Sequence, residues 1–160
     1  MYVFCDSSVN NKKCIAIGAY LFLEDINNFN VDEVETEIQN KISIIQFDSN
    51  SSTIAEYLTI KYVLEKLDLM YTNKYHNITL YTDCENFVNL ITKRKNNPKL
   101  VNHRNYELYI HLINLIEKLN ITVIWTKGHS NKENKIHNYQ KIFSLVDDEA
   151  RDTLRSIIKQ

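Results

Sequence analysis

Residues 78–91 read ITLYTDCENFVNLI: an apolar strand that ends on Asp83 and passes at once into a short helix, predicted over 85–92. In open α/β sheets the working crevice lies beyond the ends of such strands. An acid at that point is therefore a candidate for chemistry, although a strand-ending Asp can equally serve only to form a turn.

Working back from this unit, Thr53 and Glu56 match the [ST]-x-x-E capping pattern. Tyr57, Ile60, Leu64 and Leu67 follow at steps of 3, 4 and 3, one apolar stripe of a helix. Before that helix, residues 2–6, 14–23 and 41–47 read as strands. The acidic stretch 24–40 reads as a loop or strand extension. Working forward, 93–103 is a basic loop, 106–119 a long amphipathic helix and 121–126 a fifth strand. Residues 127–142 form a polar loop, and a last helix runs from about 145 to 158. Three strands with short connections imply an antiparallel meander, and strands separated by helices imply parallel additions. The expected fold is α/β: a mixed five-stranded sheet flanked by helices, with residues 1–160 forming one domain without repeats.

The composition suits that size. Hydrophobic residues make up 44% and charged residues 24%, the profile of a globular chain. A chain of this length buries roughly two thirds of its unfolded surface and needs no disulfide or structural metal to fold. Cys5, Cys14 and Cys84 contain no C-x-x-C pair, which argues against a disulfide framework or a cysteine zinc site. No apolar run approaches the ~20 residues of a membrane span. The start, MYVFCDSS, lacks the basic stretch and apolar core of a signal peptide. An intracellular, cytoplasmic location is expected, with nuclear or viral origin open, and no membrane partner. With a net charge of −1, any nucleic-acid binding must come from local patches.

Four acids share a placement at strand ends or helix starts. Asp6 closes YVFCD as Asp83 closes ITLYTD, and Glu56 and Asp147 lie in the first turns of helices. Each alone has a bland reading as a turn former, capping partner or dipole ligand. Together they form a self-repelling cluster that cations must neutralise. Hard oxygen donors suit Mg²⁺ or Mn²⁺, and two such ions roughly 4 Å apart can activate water and stabilise a leaving oxygen on phosphorus.

These residues resemble ribonuclease H of the bacterial and retroviral type. FCDSSVNNKKCIAIGAYLF resembles the family's first motif, SSTIAEYLTIKYVLEKL its helix acid and ITLYTDCENFVNLI its third acid. VNHRNYELYIHLINLIEKL resembles the family's long helix, ITVIWTKGH its last strand with a histidine loop, and LVDDEAR its final helix. The resemblance spans nearly the whole chain, and WTKGH followed by VDDEAR is its most specific part.

It implies that Asp6, Glu56, Asp83 and Asp147 hold two Mg²⁺ or Mn²⁺ ions and that His129 assists proton transfer or product release. It implies cleavage of the RNA strand of an RNA–DNA hybrid to 5′-phosphate and 3′-hydroxyl ends. No organic cofactor is expected, and the chain is expected to act as a monomer. Departures fall at Ser7, Ser52, Thr53, Cys84 and Glu85, positions that bear on hybrid recognition more than on metal binding.

Ser7 and Ser52, beside two of the acids, are candidate nucleic-acid contacts. Lys93, Arg94 and Lys95 open a stretch with no acid between Glu85 and Glu107, which reads as a phosphate-tracking patch or as a solvated loop. Trp125 and Tyr81 read as core residues, as do Cys5 and Cys84. Two rivals remain at this stage: another nuclease of the same fold acting on DNA or structured nucleic acid, and a non-catalytic nucleic-acid-binding domain.

Overall fold

Asp6 does not end the first strand. In the computed structural model, which describes residues 1–70, 77–128 and 137–159, β1 runs Tyr2–Asn10. It pairs along its whole length with antiparallel β2 (Ile15–Leu23), from Tyr2↔Leu23 to Asn10↔Ile15. The polar residues after Asp6 look like a turn in the sequence, but the ladder to β2 satisfies their backbone groups and carries the strand on. The turn falls instead at residues 11–14, where Cys14 takes a left-handed φ of 55°.

β3 (Ser43–Asp48) adds antiparallel to β2, β4 (Ile78–Thr82) adds parallel to β1, and β5 (Ile121–Trp125) adds parallel to β4. The order β3-β2-β1-β4-β5 is the mixed five-stranded sheet that the sequence implies.

One detail of pairing sets up the site. β1 and β4 pair only from Tyr2↔Thr79 to Phe4↔Tyr81. Beyond Phe4, β1 continues with β2 alone, and β4 ends at Thr82. Asp6 thus projects where its strand has lost one neighbour, and Asp83 stands at the end of that neighbour.

Residues 31–39 correct the sequence reading, since they form helix α1 (Val31–Gln39) rather than a loop or strand extension. Asn30 caps it, its Oδ1 accepting from the Asp32 N–H at 3.1 Å, and Asp32 and Glu33 favour the positive end of the helix dipole. Val31 and Ile38 are buried and Val34 is packed against the same core, at helical steps of 3 and 4.

Helix α2 (Ser52–Met70) buries the predicted row Tyr57, Ile60, Leu64 and Leu67. Its start is held by Ser51, whose Oγ accepts from the Ile54 N–H at 3.4 Å. The helix lies tight on β2, so a Cβ at Gly18 would fall 2.4 Å from Thr59 Oγ1.

α3 (Glu85–Asn89) passes into a π-helical turn, Leu90–Arg94, and a 3₁₀ turn, Pro98–Asn102, so the basic segment is more ordered than a loop. α4 (Tyr106–Lys118) and α5 (Asn138–Lys159) complete the described helices. α5 begins at Asn138, well before the predicted 145, so Asp147 and Asp148 stand in its third turn and not at its dipole end.

Alternation along β1 divides two cores. Val3 and Cys5 meet α2 and α4 through Tyr57, Ile60, Leu64 and Leu112. Phe4, with Ala19 and Leu21 of β2, meets α1 and α5 through Ile38, Phe143 and Val146. Truncating a fully buried core residue such as Leu112 to Ala would cost roughly 2–5 kcal/mol. No described helix is long and apolar enough to cross a membrane.

Candidate active site

Side-chain parity decides which acids can meet. Asp6 shares the face of Phe4, the face that α5 covers, and α5 presents Asp147 to it. The register of α5 follows its buried row Phe143, Asp147, Ala150 and Leu154, at steps of 4, 3 and 4. Asp147 is 4% exposed and Asp6 7%, both far more buried than is usual for a carboxylate. Asp148, one position on, is only partly buried and turns outward. Arg151 reaches both, its Nη2 donating to Asp147 Oδ2 at 3.2 Å and to Asp148 Oδ1.

Asp6 holds its proton well above the ordinary carboxyl range. Burial is the largest cause, followed by the charges of Asp83 and Asp147 and a hydrogen bond with Asp147; the Ser7 N–H opposes them weakly. Asp6, Asp83 and Asp147 therefore share one partly desolvated space.

Glu56 enters from the opposite side of the sheet, on α2. It is not the capping-box glutamate that the sequence pattern suggests, because Ser51 rather than Thr53 caps the helix. That leaves the carboxylate for other work. Its proton affinity is raised by burial first and by Asp83 as well, and opposed by a hydrogen bond from the Cys84 thiol. Cys5, Asp6, Glu56 and Thr82 line one narrow crevice between the two faces.

Cys5 is a buried wall of that crevice and Cys84 is buried in the adjoining core, as expected for small core residues. Burial is the main cause that pushes both thiols up, with neighbouring carboxylates adding to it, so neither is a ready nucleophile.

Asp83 is further confined from the β5 side. A Cβ at Gly128 would fall 2.3 Å from Asp83 Oδ2, so only glycine lets the chain after β5 approach this carboxylate so closely. Trp125, read from the sequence as core, is 48% exposed, and its Nε1 donates to the Asp83 carbonyl oxygen at 3.2 Å. Tyr81, by contrast, is core as expected, stacked on Phe4 with ring centroids 4.8 Å apart. Gly128, Trp125 and Arg151 are the site residues that pattern reading missed. The signal for Gly128 was its rarity, since the chain has two glycines and one of them follows the last strand.

Of the other candidates, Ser7 has its hydroxyl buried with no hydrogen-bond partner among the described residues, and Ser52 is exposed at the start of α2. Lys93 is exposed and Arg94 lies over the Tyr109 ring, 5.9 Å from its centroid. Lys95 is already ion-paired with Glu117 at 2.9 Å, which weakens its case as a phosphate contact. Arg94, Lys99 and His103 line a pocket of about 180 Å³ in the same segment. His129 lies outside the described residues.

Among the described residues no three His, Cys, Asp or Glu side chains stand ready as a cage for a metal ion. The donor set nevertheless fits a hard dication. Asp6 holds its proton because burial and then the charges of Asp83 and Asp147 disfavour another anion there. A divalent ion supplies the positive charge that this proton supplies, to oxygen donors of the kind Mg²⁺ and Mn²⁺ prefer.

A family model described as RNase H matches residues 1–140. No curated protein matches the chain. Among solved structures, the protease-reverse transcriptase of prototype foamy virus is similar at TM-score 0.66 and 16% identity, over 94% of this chain but 20% of that one. The chain thus spans about a fifth of that viral polypeptide. The N-terminal RNase H domain of Rv2228c from Mycobacterium tuberculosis, solved as a fusion with maltose binding protein, matches at TM-score 0.58 and 13% identity, covering 98% of this chain and 96% of that one. LC11-RNase H1, solved in complex with an RNA/DNA hybrid, matches at TM-score 0.58 and 12% identity, with coverage of 96% and 98%.

Proposed function

The chain belongs to the RNase H family, and from that premise we propose that it is a divalent-metal-dependent endoribonuclease cutting the RNA strand of RNA–DNA hybrids. The observation that carries this reading is the meeting of Asp6, Asp83 and Asp147 in one buried space, with Glu56 reaching Asp83 from the other face of the sheet. The RNA/DNA hybrid bound to LC11-RNase H1 supports the choice of substrate. We read residues 1–160 as one such domain, because all five described strands share a single sheet.

Asp6, Glu56, Asp83 and Asp147 would hold two Mg²⁺ or Mn²⁺ ions. When bound, such ions activate a water and stabilise the leaving 3′ oxygen in an in-line displacement at phosphorus. The chain's own residues do the rest. Asp6, whose proton is held tightly by burial, would have to be ionised to act as a ligand, and Arg151 donates to Asp147 Oδ2. The Cys84 thiol orients Glu56, while Gly128 and the Trp125 indole hold Asp83 in place from its side chain and its carbonyl.

Ser7, adjacent to Asp6, would contact the nucleic acid through its backbone rather than its hydroxyl, which is buried; the ribose 2′-hydroxyl is the group that distinguishes RNA from DNA. Ser52, Lys93 and Arg94 would meet the phosphates, with Lys95 in a lesser role because Glu117 already holds it. His129 would assist proton transfer or product release.

The test is a gel assay on end-labelled RNA–DNA hybrid, double-stranded RNA and duplex DNA, each with Mg²⁺, with Mn²⁺ and with EDTA. Hybrid alone should be cut, only with metal, leaving 5′-phosphates. Undiminished cleavage in EDTA, or duplex DNA cut as fast as hybrid, would refute the reading.

A further inference from the structure

A pocket of about 490 Å³ opens on the α1/α5 side of the sheet, away from the acids. It is lined by Tyr2, Tyr81, Tyr139 and His137, together with Ile26, Asn27 and Asn138. Tyr139 precedes Asp147 by eight residues on α5, about 12 Å along the helix. Nothing in the nuclease reading uses this pocket.

Its rings form a column. Phe4 stacks on Tyr81 at 4.8 Å, Tyr81 on Tyr139 at 5.1 Å and Tyr139 on His137 at 5.5 Å, with interplanar angles of 8°, 17° and 10°. Phe4 is fully buried and His137 exposed, so the column runs from the core to solvent. The phenol oxygens converge as well. Burial, then the neighbouring Tyr2 and Tyr139 phenols, make the Tyr81 hydroxyl hold its proton more tightly. The walls are pinned together, because the Asn138 amide donates to the carbonyls of Ile26 at 2.8 Å and Phe29 at 3.0 Å.

The charge around the pocket selects the kind of occupant. Among the described residues none that line the pocket is Lys or Arg, and residues 24–40, which supply one wall and continue into α1, contain no basic residue at all. Asp25 stands next to that wall, partly exposed, with hydrogen bonds led by the Asn27 N–H keeping its carboxyl below the usual range and ionised. Glu33 and Glu37 follow, as does Asp32, which Lys141 neutralises at 2.5 Å. A phosphate-bearing strand meets repulsion here. A flat cation with several N–H donors meets the outer face of His137, phenol oxygens and an acidic neighbouring segment.

We propose that this pocket docks an arginine side chain of a partner polypeptide, with its guanidinium laid on the outer face of the His137 ring that ends the column and donating to the tyrosine hydroxyls. The site and the basic 93–104 segment would let one small domain hold a protein partner and a nucleic acid at once.

The test is an NMR titration of the whole chain with ¹³C-labelled tyrosines. The probes are a Gly/Ser nonapeptide with one central Arg, the same peptide with neutral citrulline, and adenosine 5′-monophosphate. The Arg peptide should shift the Tyr2, Tyr81 and Tyr139 signals saturably, with the citrulline peptide bound about fivefold or more weakly. Tyr139→Leu should abolish the shifts at Tyr2 and Tyr81, with unmoved Tyr20 and Tyr62 signals reporting an intact fold. Asp25→Asn, which keeps an oxygen to accept from the Asn27 N–H, should weaken binding and flatten its salt dependence. Equal binding of the two peptides overturns the proposal, as does no saturable shift up to about 10 mM or an unchanged affinity in Asp25→Asn. Preferential binding of the nucleotide would overturn it too and make the pocket a nucleobase site instead. Since no readout involves cleavage, the result stands apart from the nuclease assay.

Discussion

Gly128→Ala should cost catalysis far more than it costs stability. The added Cβ would fall 2.3 Å from Asp83 Oδ2, whereas ordinary contact begins near 3.4 Å, so one side must yield by 3.4 − 2.3 = 1.1 Å. The Asp83 backbone cannot retreat easily, because its carbonyl accepts the Trp125 indole N–H and the neighbouring Thr82 carbonyl accepts the Thr126 N–H at 2.9 Å. The carboxylate itself must therefore swing or the Gly128 segment must lift. A displacement of about 1 Å in a group that positions the reaction can cost on the order of 10²-fold in rate. Overpacking one methyl costs the fold roughly 1–3 kcal/mol. The assay is hybrid cleavage at saturating Mg²⁺, with a melting curve on the same preparation. Metal loading can be followed separately by the fluorescence of Trp125, the single tryptophan, which contacts Asp83 directly. Wild-type turnover in Gly128→Ala would refute this reasoning, as would a reduction that merely tracks the unfolded fraction.

Three further outcomes follow from the same geometry. Asp147→Asn should lower turnover by on the order of 10²-fold or more, while Asp148→Asn stays within a few fold of wild type, since a partly exposed pair such as Asp148–Arg151 is worth ~0–1 kcal/mol; the reverse ranking in one buffer would place the wrong acid in the site. Asp6 and Glu56 bind protons more tightly in the fold than in the unfolded chain, with burial the leading cause in each. Their contribution to metal-free stability is thus complete below the ordinary carboxyl values of 3.8 and 4.5 and is lost as pH rises through the elevated folded values. Melting temperature in EDTA should fall across that window relative to an Asp6→Asn/Glu56→Gln variant and recover with Mg²⁺ at pH 8, and parallel curves for the two proteins would oppose it. Neutralising Lys93 and Arg94 together should flatten the dependence of log affinity on log salt by roughly 0.7–0.9 for each phosphate no longer neutralised, while Lys95→Gln, already paired with Glu117, should change it little; equal effects from the three would mean that the ion pair does not persist in solution.

What the sequence made legible was periodic, and what it hid depended on distant partners. The stripe from Tyr57 to Leu67 and the strand–acid–helix unit at Asp83 could be read because the apolar spacing itself encodes the buried face. α1 was obscured by density of charge, since only Val31, Val34 and Ile38 mark its inner face among four acids. β1 beyond Asp6 was hidden because Ser7 and Ser8 have the composition of a turn, and only their pairing with Gly18 and Ile17 makes them strand. Trp125 misled because alternation gives its side of the sheet but not whether a helix covers it. The pairing of Lys95 with Glu117 joins residues 22 positions apart and has no local signature.

The position of the site follows from one topological fact. Neighbouring residues of a strand face opposite ways, so one strand cannot bring acids from both faces of a sheet to one point. The parallel partner resolves this by ending early. β4 stops at Thr82 while β1 runs on to Asn10, and in the gap beyond β4 the two faces open on each other beside β1. Asp6 and Asp147 reach that gap from the α5 face, Glu56 reaches it from the α2 face, and Asp83 stands in it. Two of these depend on helix register: Glu56 on a cap at Ser51, and Asp147 on the row from Phe143 to Leu154 that locks α5 to the sheet. A one-residue slip in α5 would exchange buried Asp147 for Asp148 and put Arg151 where Ala150 now packs. On the proposed metal reading, the apolar packing of α5 therefore carries the choice of the fourth acid, and it does so seven residues beyond the end of the family match at 140.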